Sequence, residues 1–344
     1  MKILLIISLQ IILVCNLLNA QTKSEYKIVN KFSLEGDGGW DYLIVDNTTD
    51  KLFVSHSTMV QVVNETDGKM IATIANLKGV HGIALAYEFN KGFITSGKDS
   101  TVVVFDLKTY QILEKIKVTG ANPDAILYDS FSKKVFIYNG RTSNATIIDA
   151  ATNKIITTIP LDGKPEFSVS DGKGKVYVNI EDKSEISLIN TSTLKVEQTW
   201  PIKPGKYPSG LAIDNTTHRL FSVCDNQLMV IVDAENGKII TTLPIGKDVD
   251  GAAFDPELKR IYSSNGDGTL TVVQEQDANT FKVLENITTQ ENAGTLALDT
   301  KTQHIYLSCA EINEAPEKTE TNPHPKPTVK SGTFVVLDVA LTNK

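Results

Sequence analysis

Residues 146–165 read TIIDAATNKIITTIPLDGKP, and residues 229–247 repeat nearly the same text as MVIVDAENGKIITTLPIGK. Each copy has an apolar, β-branched run ending in Asp149 or Asp233, a short polar turn, and a second β-branched run. A turn rich in Gly and Lys then leads onward. Short apolar runs of this kind, bounded by Gly, Asn, Asp and Lys, read as strands. A pair of strands that returns at fixed spacing marks a repeat architecture.

The strands between these copies recur as well. The pattern is an apolar strand, mostly ending in an acid, then a turn, then a strand whose centre is mostly aromatic. It runs YLIVD (42–46) with LFV (52–54), IALA (83–86) with GFI (92–94), AILYD (125–129) with VFI (135–137) and FSVSD (167–171) with VYV (176–178). It continues as GLAID (210–214) with LFS (220–222), AAFD (252–255) with IYS (261–263) and LALD (296–299) with IYL (305–307). The period of about 42 residues is that of a four-stranded propeller blade. The last copy has three strands, ending at 334–339, and YKIVNKFSL (26–34) supplies the fourth from the other end of the chain. Such a strand closes the ring and leaves no open sheet edge. The predicted fold is all-β: a seven-bladed β-propeller of four-stranded blades, the last blade closed by the N-terminal strand. One domain is expected over 21–344, with an insertion at about 311–330 in the last blade.

The chain opens with MKILLIISLQIILVCNLLNAQ, which carries Lys2, an apolar core over 3–13 and a polar end at Ala20. This predicts a secretory signal over 1–20, cleaved near Ala20. Ser8, Gln10 and Asn16 interrupt the run, which falls short of a membrane span. Val14 is too large for lipid attachment at Cys15. A periplasmic or secreted monomer without a transmembrane segment is expected. The net charge of −7 argues against a nucleic-acid partner. Past the signal only Cys224 and Cys309 are left, too few for a disulfide framework.

VIVDAENGKIITTLPIG (230–246) and TIIDAATNKIITTIPLDGKP resemble the YVTN-type repeat of bacterial YncE-like β-propellers. The blocks GDGGWDYLIVD (36–46), NPDAILYD (122–129), PSGLAID (208–214) and SSNGDGTLTVV (263–273) are similar to one exported subgroup of that family. The resemblance implies an exported seven-bladed propeller and little about chemistry, because the fold hosts unrelated functions. The GH…WD text of WD40 blades and a CxxCH haem site are absent.

Function is expected where the copies differ. In an up-and-down blade, the start of strand one and the end of strand two lie on one face. Around the ring the starts place Trp40, Asp41, His81, Asp124, Glu166, Ser209 and Asp250 there. The ends place His56, Asn139, Cys224, Asn265 and Cys309 there, followed by Arg141, Glu181 and Asp225. His218 and His304 precede strand two and fall on the opposite face. The reading is a binding or scaffold module that takes a small polar ligand or a protein partner at the channel mouth. One alternative is a lactonase-like hydrolase or lyase using Glu166, Asp41 or Asp250 as base. Another is a divalent metal site on His56, His81 and Cys309, since the seventh blade adjoins the first. Against these stand plainer roles: acids as turn-formers, cysteines as small buried hydrophobes, and Trp40 as packing between blades.

Overall fold

The computed structural model of the protein describes residues 26–316 and 327–342. The expected signal and residues 317–326 of the expected insertion, which include His324, lie outside the described residues. The described chain forms seven four-stranded antiparallel sheets. Six are built from consecutive strands, and in the seventh Tyr26–Ser33 pairs with Val335–Leu341. The ladder runs from Tyr26 opposite Leu341 to Ser33 opposite Val335, so the chain's two ends close one blade. No helix among the described residues is long and apolar enough to cross a membrane.

The aromatic landmark of strand two explains how the blades stack. Phe53, Phe93, Phe136, Tyr177, Phe221, Tyr262 and Tyr306 are all buried to within 2%. Each sits in the middle of a strand flanked on both sides, so it fills the space between adjacent sheets. Phe53 meets Phe105 of the next blade at 5.8 Å between ring centres. Tyr26 of the closing strand meets Tyr262 edge-on, with 2.8 Å between the hydroxyls. Burying one such ring contributes about 1.5–3 kcal/mol.

The acid ending strand one has a local task. Asp46 accepts from the Thr48 amide at 2.9 Å, Asp214 from the Thr216 amide at 2.8 Å and Asp255 from the Glu257 amide at 2.8 Å. These side chains hold the turn into strand two. The insertion in blade seven begins as a hairpin stem, with Ile312 opposite Val329 and Asn313 N donating to Thr328 O at 2.8 Å.

Candidate functional site

The first strands of six blades lose register at their start. The breaks fall between Trp40 and Leu43, Val80 and Ile83, Pro123 and Ile126, Pro165 and Ser168, Pro208 and Leu211, and Val249 and Gly251. A bulge at this point releases a residue from the ladder and re-aims its side chain. The residue released is the second of each strand: Asp41, His81, Asp124, Glu166, Ser209 and Asp250. These are the starts that sequence reading placed on one face, and the structure gathers them around one end of the channel.

The bulged backbone is held from the neighbouring blade by the penultimate residue of its strand two. Ser55 Oγ donates to His81 O at 2.5 Å, Thr95 Oγ1 to Asp124 O at 2.6 Å and Asn179 Nδ2 to Ser209 O at 2.8 Å. Ser308 Oγ donates to Asp41 O at 3.2 Å, and Thr295 Oγ1, just before the first strand of blade seven, donates to the same carbonyl at 2.8 Å. A carbonyl turned out of the ladder would otherwise lack a partner.

The mouth is electrostatically crowded. His81 Nδ1 lies 2.5 Å from Asp41 Oδ2 and 3.6 Å from Asp124 Oδ1. Lys164 Nζ lies 2.7 Å from Glu166 Oε1 and also bonds Glu181. Ser209 Oγ donates to Asp250 Oδ1 at 2.7 Å. Burial, reinforced by neighbouring acids, pushes Asp41 up to about 6, Asp250 to about 7 and Glu166 to about 8. Burial raises Asp124 as well. Burial opposes protonation of His81, but the Asp41 hydrogen bond and the fields of Asp124 and Glu166 outweigh it and raise the imidazole. Like charges that share a poorly solvated site cannot all ionise. Carboxylates from four blades therefore compete for protons, with Lys164 and His81 as partial counterweights.

Just beneath the mouth two rings meet within the channel. Tyr42 and Phe167, the next residues of blades one and four, meet across it at 4.5 Å between ring centres. Burial and then the charges of Asp124, Glu166, Asp41 and Asp250 raise the Tyr42 phenol well above its usual range. Tyr42 was read from the sequence only as part of the first blade's inner strand, not as a site residue. Its partner lies on a distant blade, and no local motif announces it. The far end of the channel is a separate cavity of about 470 Å³, lined mainly by aliphatic side chains such as Leu43, Leu85, Leu127 and Leu298.

The ends of strand two do not belong to the mouth. His56 and Cys309, read with His81 as metal ligands, are both fully buried. His56 packs against Phe334 at 4.2 Å between ring centres, tilted, and its Nδ1 lies 3.0 Å from Gln61 Oε1, while Cys309 packs in the core between blades six and seven. Backbones at a strand end reach the face, but these side chains point between the sheets. Asn139 and Asn265 are equally buried and brace their own hairpins, Asn139 on Thr146 at 3.0 Å and Asn265 on Thr271 at 3.1 Å. Trp40 is half-buried against Phe334 at 5.9 Å. Arg141 and Asp225 lie exposed in turns after strand two. Glu181 joins the mouth through Lys164. Cys224 and Cys309 are free thiols, each pushed by burial up to about 12.

No protein-family profile matches the chain. It is 23% identical over 227 residues to the uncharacterized protein YncE of Salmonella typhimurium, covering 61% of this chain and 63% of that protein. The YncE of Salmonella typhi matches to the same extent, so the chain spans less than two thirds of the length of these relatives. A striatin homolog of Dictyostelium discoideum is 35% identical over 86 residues, 24% of this chain and 10% of that one. Among solved structures, Kuenenia stuttgartiensis hydrazine synthase superposes with a TM-score of 0.70 at 14% identity, over 86% of this chain and 97% of that one. U3-55K superposes with a TM-score of 0.74 at 7% identity, over 89% and 98%. At such identities the superpositions speak for the fold alone. Closed by Tyr26–Ser33, the chain is a seven-bladed β-propeller whose sequence is similar to that of YncE.

Proposed function

We propose that the protein is a binding propeller that holds a small cationic ligand over the channel mouth. The convergence of Asp41, Asp124, Glu166 and Asp250 from four blades carries this reading. Each stands on a bulged strand start, and Asp41, Glu166 and Asp250 are pushed well above the carboxylate range. A bound cation would relieve the repulsion that now keeps protons on them. The Tyr42–Phe167 contact gives the site a floor, so a ligand would rest on the mouth rather than thread the channel. The signal read over 1–20 supports an exported location. Calorimetric titration at pH 8 with manganese(II) and with 1,4-diaminobutane tests the reading. One cation should bind per chain, and Glu166→Gln with Asp250→Asn should weaken binding at least tenfold. Failure of every cation to bind contradicts it.

One observation favours a second reading. The Asp41–His81 contact at 2.5 Å is the carboxylate–imidazole arrangement of a general base. Lactone hydrolysis or elimination that is lost in His81→Ala would make the mouth catalytic. No Ser or Cys side chain bonds His81 among the described residues, which leaves binding as the preferred reading.

A further inference from the structure

We propose that Asp41, His81 and Asp124 form a binding site for a divalent transition metal of the zinc type, with one ligand from each of three consecutive blades. The inference deepens the cationic-mouth reading and rests on it.

Spacing comes first. One donor atom from each residue lies within 4.8 Å of the other two. Metal bonds of about 2.0–2.2 Å set neighbouring ligand atoms roughly 3–3.5 Å apart. His81 Nδ1 to Asp124 Oδ1 is already 3.6 Å, and Asp41 Oδ2, now at 2.5 Å from Nδ1, has to retreat by less than about 1 Å to admit an ion. The side chains are 21–26% exposed, so an ion can enter from the mouth.

The donor set then selects the ion. Two carboxylates neutralise a divalent charge. An imidazole nitrogen favours zinc, copper, iron or nickel over magnesium and calcium, which prefer oxygen throughout. Three protein ligands leave positions for water or for a bound molecule.

The support around the ligands is a separate observation. The backbone carbonyl of every ligand residue is fixed by a side-chain hydroxyl: Asp41 by Thr295 and Ser308, His81 by Ser55, and Asp124 by Thr95. The outer edge of the His81 ring lies against Gly97, where a Cβ would stand 2.7 Å from Nε2. Glycine at 97 therefore leaves the room that lets the ring present Nδ1 to the two acids. Asn122 Nδ2 approaches the other Asp124 oxygen at 3.5 Å. The same kind of bracing holds Ser209, so it fixes strand starts around the ring; in blades one to three it holds the three donor residues in place, as a metal centre requires.

The test uses the chain without residues 1–20, stripped with chelator and titrated calorimetrically with zinc, manganese and magnesium chlorides separately. Zinc is expected to bind once per chain at micromolar affinity or tighter, and magnesium at least a hundredfold more weakly. His81→Ala and Asp124→Asn should each weaken zinc binding at least tenfold, while His218→Gln on the far face should not. Unchanged zinc binding in both mouth variants overturns the site. Should either variant melt early, the X-ray absorption spectrum of the zinc-loaded wild type decides. Nitrogen and oxygen neighbours only support the site, and sulfur neighbours overturn it. A protein that binds the diamine but not zinc overturns the metal site and leaves the cationic mouth standing. A protein that binds neither overturns both.

Discussion

Replacing Glu166 by glutamine isolates the electrostatic conflict at the mouth. Glu166 is 9% exposed, and burial, with Asp124 and Glu181 adding to it against the Lys164 bond, moves its carboxyl from 4.5 to about 8. Between those values the folded chain holds a proton that the unfolded chain has released. Stability from this group is therefore full below about pH 4.5 and is lost as pH rises through about 8. Each unit is worth about 1.36 kcal/mol, so a gap of roughly 3.5 units caps the loss at ~5 kcal/mol. The field of Asp124 couples its titration to that of Glu166, which spreads the loss and leaves ~2–3 kcal/mol for one substitution. Glutamine fills the same space without a charge and should recover that amount. At roughly 2 °C per kcal/mol for a chain of this size, Glu166→Gln should melt ~5 °C above wild type at pH 8.5. At pH 4.5 the two should melt together. The assay is a circular-dichroism melt at the two pH values in metal-free buffer. A variant less stable than wild type at pH 8.5 would refute the reasoning, because the ionised Glu166 would then be favourably paired with Lys164.

Three further outcomes follow from the packing. Phe53→Ala empties a fully buried site between blades one and two and should cost about 3–5 kcal/mol in urea unfolding. Deleting residues 26–33 removes the strand paired with Val335–Leu341 and exposes its edge, so the truncated chain should lose cooperative unfolding and self-associate in size-exclusion chromatography. Cys224 and Cys309 should resist maleimide at pH 7 in the native protein and react in guanidinium, since both thiols are buried and pushed up to about 12. Rapid labelling of the native chain would contradict the blade packing.

The ring was legible because its causes are periodic. The aromatic centres of strand two and the acids that cap the following turn recur in nearly every copy, and each recurrence reports the same packing or the same turn. Asp41, His81, Asp124, Glu166 and Asp250 could be read as a group because a strand start has a fixed place in a blade. Side-chain direction at a strand end was not legible. A slip of one residue turns a side chain to the other face. His56 and Cys309 thus point between sheets, while the residues before them, Ser55 and Ser308, reach the bulged carbonyls. The Tyr42–Phe167 contact was hidden for another reason: it joins blades one and four across the ring, and residues in different repeats carry no mark of facing each other.

The most direct measurement is anomalous diffraction at the zinc edge from crystals grown with zinc. The account predicts one strong peak at the channel mouth, within bonding distance of Asp41, His81 and Asp124. A map whose peaks lie only at His218, at His304 or between molecules, with none at the mouth, would contradict it.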